Sequence, residues 1–170
     1  MTHLLLISLL ALLHHSPATA CMERRAPRIA VQAAEGEATY GVPAALLLVI
    51  GFAETHLGCD HGEGGGWGAP VDPTHRHTAG THLHAARALA SSYRACGNWY
   101  GAIVRFRTGL CTTRRRLRGY TPEYALRMTT RIYADAHQPL PAGQWRPLTR
   151  AERRARAAAQ AEAPRTPNGS

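Results

Sequence analysis

Apolar positions recur at helical spacing over residues 27–40, where Ile29, Ala33, Ala34 and Tyr40 share one side and Gly41 supplies a stop. Pro43 is well placed to open a second helix, Ala44 to Thr55. That helix is apolar almost all round, through Leu46, Leu47, Leu48, Val49, Ile50 and Phe52, and such a helix belongs inside a core. Residues 58–82 lose the pattern to Gly58, Gly62, Gly64, Gly65, Gly66, Gly68, Pro70, Pro73 and Gly80, and read as a loop. Helical spacing returns over 83–94, 99–107 and 122–134, and no stretch alternates with the period of a strand. The pattern predicts an all-α domain with one Gly-rich loop. From Pro139 the chain turns rich in Pro, Arg and Ala; 139–170 reads as a disordered basic tail, in which 149–163 has the makings of a solvated Ala/Arg helix without an apolar stripe.

The first residues follow a different logic. An apolar run from Leu4 to Leu13, broken only by Ser8, precedes Pro17 and an Ala18-Thr19-Ala20 site, which together read as a signal peptide over 1–20. The run is too short to span a bilayer, which takes about 20 residues. The folded domain is then expected over 21–138, in a periplasmic or secreted location. Cleavage after Ala20 would leave Cys21 first, where a lipid could attach and give the only expected membrane anchoring. Four cysteines, Cys21, Cys59, Cys96 and Cys111, permit three pairings in an oxidising compartment. Cys96 and Cys111 flank one expected helix and make a plausible staple; lipid on Cys21 would leave Cys59 odd. No C-x-x-C spacing points to zinc.

Charge changes the picture once more. The chain of 170 residues carries net +9, its basic side chains are all Arg, and it is 45% hydrophobic, which suffices for one core. Residues 1–100 sum to −1 and residues 101–170 to +10. Charge alone points to nucleic acid, but the run Arg105, Arg107, Arg114, Arg115, Arg116 and Arg118 is interleaved only by Phe106 and matches no nucleic-acid fold. With an export leader in front, an anionic cell wall becomes the expected partner instead. A solvated Arg face is the plain alternative.

Glu54 is out of place on its helix. A C-terminus is the unfavourable end for a carboxylate, and apolar surroundings disfavour the charged form of such a group, as a general acid at neutral pH requires. On helix logic alone a structural ion pair explains it as well.

The stretch Tyr40-Gly41-Val42-Pro43-Ala44-Ala45-Leu46-Leu47-Leu48-Val49-Ile50-Gly51-Phe52-Ala53-Glu54-Thr55 resembles the opening of the lytic transglycosylase domain of the goose-type lysozyme-like superfamily. Asp72-Pro73, Gly80, Leu83 and Tyr93 follow that family's middle helix in order. Ala102 to Gly109 lies where it has an Ala-Leu-x-x-Tyr-Asn-x-Gly segment, and Tyr124-Ala125, Met128 and Tyr133 where it has a late Tyr-Val helix. The likeness covers about residues 38–135. It implies a lysozyme-like fold, no cofactor and no metal, and peptidoglycan glycan strands as the partner. It makes Glu54 the sole catalytic acid and base at the bond between N-acetylmuramic acid and N-acetylglucosamine, with a 1,6-anhydro ring as product. It implies substrate-lining roles for Thr55, Ala69, Val71, Phe106, Arg107 and Tyr124. Gly68-Ala69-Pro70-Val71 stands where the family has Gly-Leu-Met-Gln, and Phe106-Arg107 where it has Tyr-Asn, so two amides of the sugar-binding lining are gone. Arg107 is a candidate for a substrate carboxylate.

Other residues compete for attention. Trp67 is either a sugar-stacking platform or the anchor of its loop, and Trp99 reads as core. His56, His61, His75, His77, His82 and His84 lack a ligand spacing and read as solvated. Three functions remain: a lytic transglycosylase, a glycan-gripping module without activity, and a water-using muramidase.

Overall fold

The helix expected to be core is the core. Ala44–Thr55, here α2, has every residue from Ala44 to Gly51 buried, in keeping with its lack of a polar face. The computed structural model describes residues 4, 5, 7, 8, 11, 19–59, 67, 82–112 and 119–162, and among these there is no strand. The fold is all-α. Around α2 run α1 (Thr19–Tyr40), α3 (His82–Cys96), α4 (Trp99–Thr108) and α5 (Pro122–Asp135). Contacts close a circuit: α2 packs on α1, α1 on α3, α3 on α4, α4 on α5, and α5 back on α2. No helix among the described residues is long and apolar enough to cross a membrane.

Each helix end has a local cause. Thr121 caps α5 by accepting from the Tyr124 amide at 3.2 Å, with Pro122 in the first turn, where a missing N–H costs nothing. Asn98 caps α4 by accepting from the Gly101 amide at 2.7 Å. Gly36 answers a close crossing: an added Cβ would stand 2.7 Å from Leu47 Cδ1 and 3.2 Å from Ala86 Cβ. A mid-helix glycine costs about 1 kcal/mol against alanine; here it lets α1, α2 and α3 meet.

Three differences from the sequence reading matter. First, α1 begins at Thr19 rather than at 27, because Met22, Ile29 and Ala33 continue one buried stripe through Pro27, which the helix accommodates. It therefore runs through the expected cleavage site, and Leu5 of the apolar leader is buried in the core while Leu4 and Ile7 are exposed. Second, both disulfides form, Cys21–Cys59 and Cys96–Cys111, and no cysteine is free. Pairing with Cys59 takes up the sulfur that a lipid on Cys21 would need.

Third, the expected tail is partly folded. Residues 139–149 return to the domain as a strap: the Gln144 carbonyl accepts from the Trp99 amide at 2.8 Å, and the Gln144 amide donates to the Tyr93 hydroxyl at 3.1 Å. Trp145 packs against the core with its ring 5.9 Å from that of Trp99, and its indole N–H donates to the Pro141 carbonyl at 2.9 Å. These anchors outweigh the polar composition around them. Beyond the strap, α6 (Arg150–Glu162) is helical and packs on no other described helix.

Candidate active site

The last turn of α2 carries Glu54, and the chain then does something costly. His56 and Leu57 both take left-handed backbone angles, φ 47° and 56°, which side-chain-bearing residues rarely adopt. Such strain persists only where the surroundings over-determine it. Here four contacts do. The Thr55 hydroxyl donates to the Gly51 carbonyl at 3.2 Å and accepts from the Gly58 amide at 3.1 Å. Leu57 is buried, and Arg25 donates to its carbonyl at 2.8 Å. Cys21, one helical turn before Arg25 on α1, is bonded to Cys59. One face of α1 thus grips the turn that follows Glu54.

The Glu54 side chain is 25% exposed, at the rim of the core instead of sealed within it. Across from it, Arg107 on α4 places Nε 3.4 Å from Glu54 Oε1. The same guanidinium donates to the Tyr120 carbonyl at 2.7 Å and lies 4.5 Å from the centre of the Tyr120 ring. A planar, delocalised cation suits this triple engagement, which a lysine could not reproduce. The Tyr120 hydroxyl is buried, makes no hydrogen bond of good geometry, and faces Glu54. Burial first, then the negative charge of Glu54, push the phenol far above its ordinary range, with Arg107 acting the other way. Tyr120 therefore stays protonated and offers a fixed donor beside the carboxylate.

Next to this trio opens a cleft of ≈ 500 Å³, lined by Phe52, Ala53, His56, Gly119, Tyr120, Thr121 and Tyr124. Phe52 and His56, one turn apart, meet edge to face with ring centres 4.9 Å apart. No described lining residue is an acid. Aromatic faces and hydroxyls beside one carboxylate make a surface suited to a pyranose.

The expected site residues divide sharply. Tyr124 lines the cleft, while Glu54 and Arg107 pair beside it, joined to its wall through Tyr120. Thr55 is buried and its hydroxyl is used within the turn, so it positions Glu54 and does not face a substrate. Phe106 is buried in the core on the inner face of α4, where it serves packing and not a substrate. Trp67 is also buried, 6.2 Å from the His82 ring, which makes it a core anchor and not a sugar platform. Ala69 and Val71 lie outside the described residues, as do the acids Asp60, Glu63 and Asp72. Among the described residues no group of three His, Cys, Asp or Glu converges on a metal position, and His82 pairs instead with Glu35 at 2.7 Å.

Sequence reasoning missed Tyr120 and the role of His56. One signal was available for the former: Tyr120 precedes the capping Thr121, the position from which a side chain packs back on the first turn of a helix, and both Tyr120 and Ala125 are buried. No family model, curated protein or solved structure matches the chain.

Proposed function

We propose that this chain is an exported peptidoglycan lytic transglycosylase. The observation that carries the reading is the setting of Glu54: a lone carboxylate closing an apolar helix, held by a strained turn, beside a protonated Tyr120 and an aromatic cleft. In its neutral form Glu54 gives its proton to the glycosidic oxygen of the muramoyl–glucosaminyl bond, and the C1–O bond breaks. The resulting carboxylate takes the proton of the muramoyl C6 hydroxyl while O6 bonds to C1, closing a 1,6-anhydro ring. The proton returns to Glu54 and no water is consumed. Hydrolysis of a glycoside ordinarily uses a second carboxylate at about 5–9.5 Å, and an internal hydroxyl removes that need. Two disulfides support a location outside the reducing cytoplasm.

One observation favours a second reading, a glycan-gripping module without activity: the carboxylate that must donate a proton is engaged by Arg107. Digesting murein sacculi with the purified chain and weighing the soluble muropeptides separates the possibilities. Anhydro products, lighter by one water, support the transglycosylase. Full-mass reducing ends identify a water-using muramidase, and sedimentation with sacculi without release identifies the binder.

A further inference from the structure

Arg107 sits too near the reacting centre to be a distant steering charge. A general acid works within about 3 Å of the oxygen it protonates, and Arg107 Nε is 3.4 Å from Glu54. The guanidinium therefore lies within roughly 6–7 Å of the scissile oxygen, the sum of one hydrogen-bond length and the ion-pair distance. Among the acidic groups of the polymer, only one carried by the muramoyl ring itself reaches that zone. The lactyl group on its C3 does. The free carboxylates of a stem peptide begin further out, at about 3.5 Å per added residue.

The charge changes during the reaction select among states of that lactyl group. When Glu54 carries the proton it must deliver, the negative charge facing Arg107 is gone. A carboxylate arriving with the substrate restores it, while the guanidinium keeps the Tyr120 carbonyl and ring as its mount. In glycan that bears stem peptides the lactyl carboxyl is an amide and brings no charge. In glycan stripped of stems it is a free carboxylate, for which a guanidinium is the matched bidentate partner.

We infer that Arg107 makes this site selective for stem-free muramoyl glycan, its guanidinium binding the lactyl carboxylate of the sugar whose bond is cut. The inference rests on the proposed glycan-binding role of the cleft. It assigns Arg107 to substrate choice and gives the Glu54–Arg107 pair a function: the resting site is closed by its own carboxylate, and the substrate's carboxylate takes its place.

The test compares intact sacculi with the same sacculi stripped of stems by an amidase, using the full chain and following release of anhydro ends. The expected KM is about tenfold lower on stripped glycan, the worth of one charge-assisted contact. Arg107→Gln, which removes the charge and keeps a polar side chain, should erase the difference, and Arg107→Lys should keep part of it. Retention of the Glu54→Gln chain on each glycan, immobilised on a resin, reads the same preference without turnover. Because glutamine is neutral like the protonated acid, this variant should hold stripped glycan more tightly than the wild type does. Equal KM values and equal retention on the two glycans, or a preference that Arg107→Gln leaves intact, overturn the inference while sparing the transglycosylase. Selective retention on stripped glycan without any cleavage does the reverse: the inference stands and the enzyme reading fails.

Discussion

Glu54 on α2 and Arg107 on α4 face one another at 3.4 Å, and neither helix packs directly on the other. The two are brought together by long side chains, and Tyr120 packs against the guanidinium of the pair. A site assembled in this way depends on the orientation of each helix end, and its residues separate into those that react and those that hold.

Replacing Glu54 by Gln tests the reacting group. The variant removes the proton donor but keeps the shape, so release of anhydro muropeptides should fall by a factor of about 10² to 10⁴, the usual contribution of a general acid. The side chain is partly exposed, and the thermal midpoint should move by only a few degrees. Undiminished release by Glu54→Gln would sink the assignment.

Thr55→Val and Thr55→Ser test the turn. Valine loses the hydroxyl that accepts from the Gly58 amide and donates to the Gly51 carbonyl, at a cost of about 1–2 kcal/mol in stability by denaturant titration. Serine keeps both bonds and should stay near wild type. Reduction of Cys21–Cys59, whose residues are 38 apart in sequence, should cost about 2–4 kcal/mol. Both changes should lower turnover at temperatures where the chain remains folded, since each loosens the strained His56–Leu57 backbone behind Glu54. Full turnover in a folded, reduced chain would show that the clamp is structural only.

How much of this was legible in the sequence follows from what kind of signal each part leaves. Helix α2 was legible because an apolar run without a polar face has one destination, and α3, α4 and α5 were legible because their burial repeats with helical period. Glu54 stood out as a charge at the wrong helix end. Arg107 was named from a family position, yet its pairing with Glu54 is purely tertiary and leaves no mark on either helix. Tyr120 lies in a stretch with no period at all. Thr55 and Phe106 were misread for the same reason: which way a side chain turns at the end of a helix depends on the neighbours that the fold supplies.

The strap makes the next case. Composition marks 139–170 as unpacked, but Gly143, Gln144 and Trp145 fit against Tyr93 and Trp99 closely enough that a Cβ on Gly143 would stand 2.8 Å from Trp99 Nε1. A chain ending at 149 should match the full chain in stability. One ending at 138 strips the partly buried Trp145 from the edge of the core and should lose about 2 kcal/mol or more, below the ~3–5 kcal/mol of deleting a fully buried aromatic. Equal denaturation midpoints for both truncations would return the segment to the status of a tail.

Glu37 supplies the pH dependence. It lies in the last turn of α1, half-buried against the start of α2 near Ala44 and Tyr133; burial dominates their opposing pull and raises it above the ordinary carboxylate range. Its charge in turn, after burial, pushes the Tyr133 phenol up, so Tyr133 remains a donor. A carboxyl raised in the folded state binds its proton more tightly there than in the unfolded chain. Its contribution is therefore most favourable at pH below the unfolded value, 4.5, and is lost as pH rises through the higher folded value. Glu37→Gln removes that loss, because an amide keeps the polar shape without a charge to desolvate. The variant should match wild type near pH 4 and exceed it in stability at pH 7.5, by urea titration at both pH values. A variant less stable at pH 7.5 would mean that the ionised carboxylate at the α2 N-terminus contributes more than its burial costs.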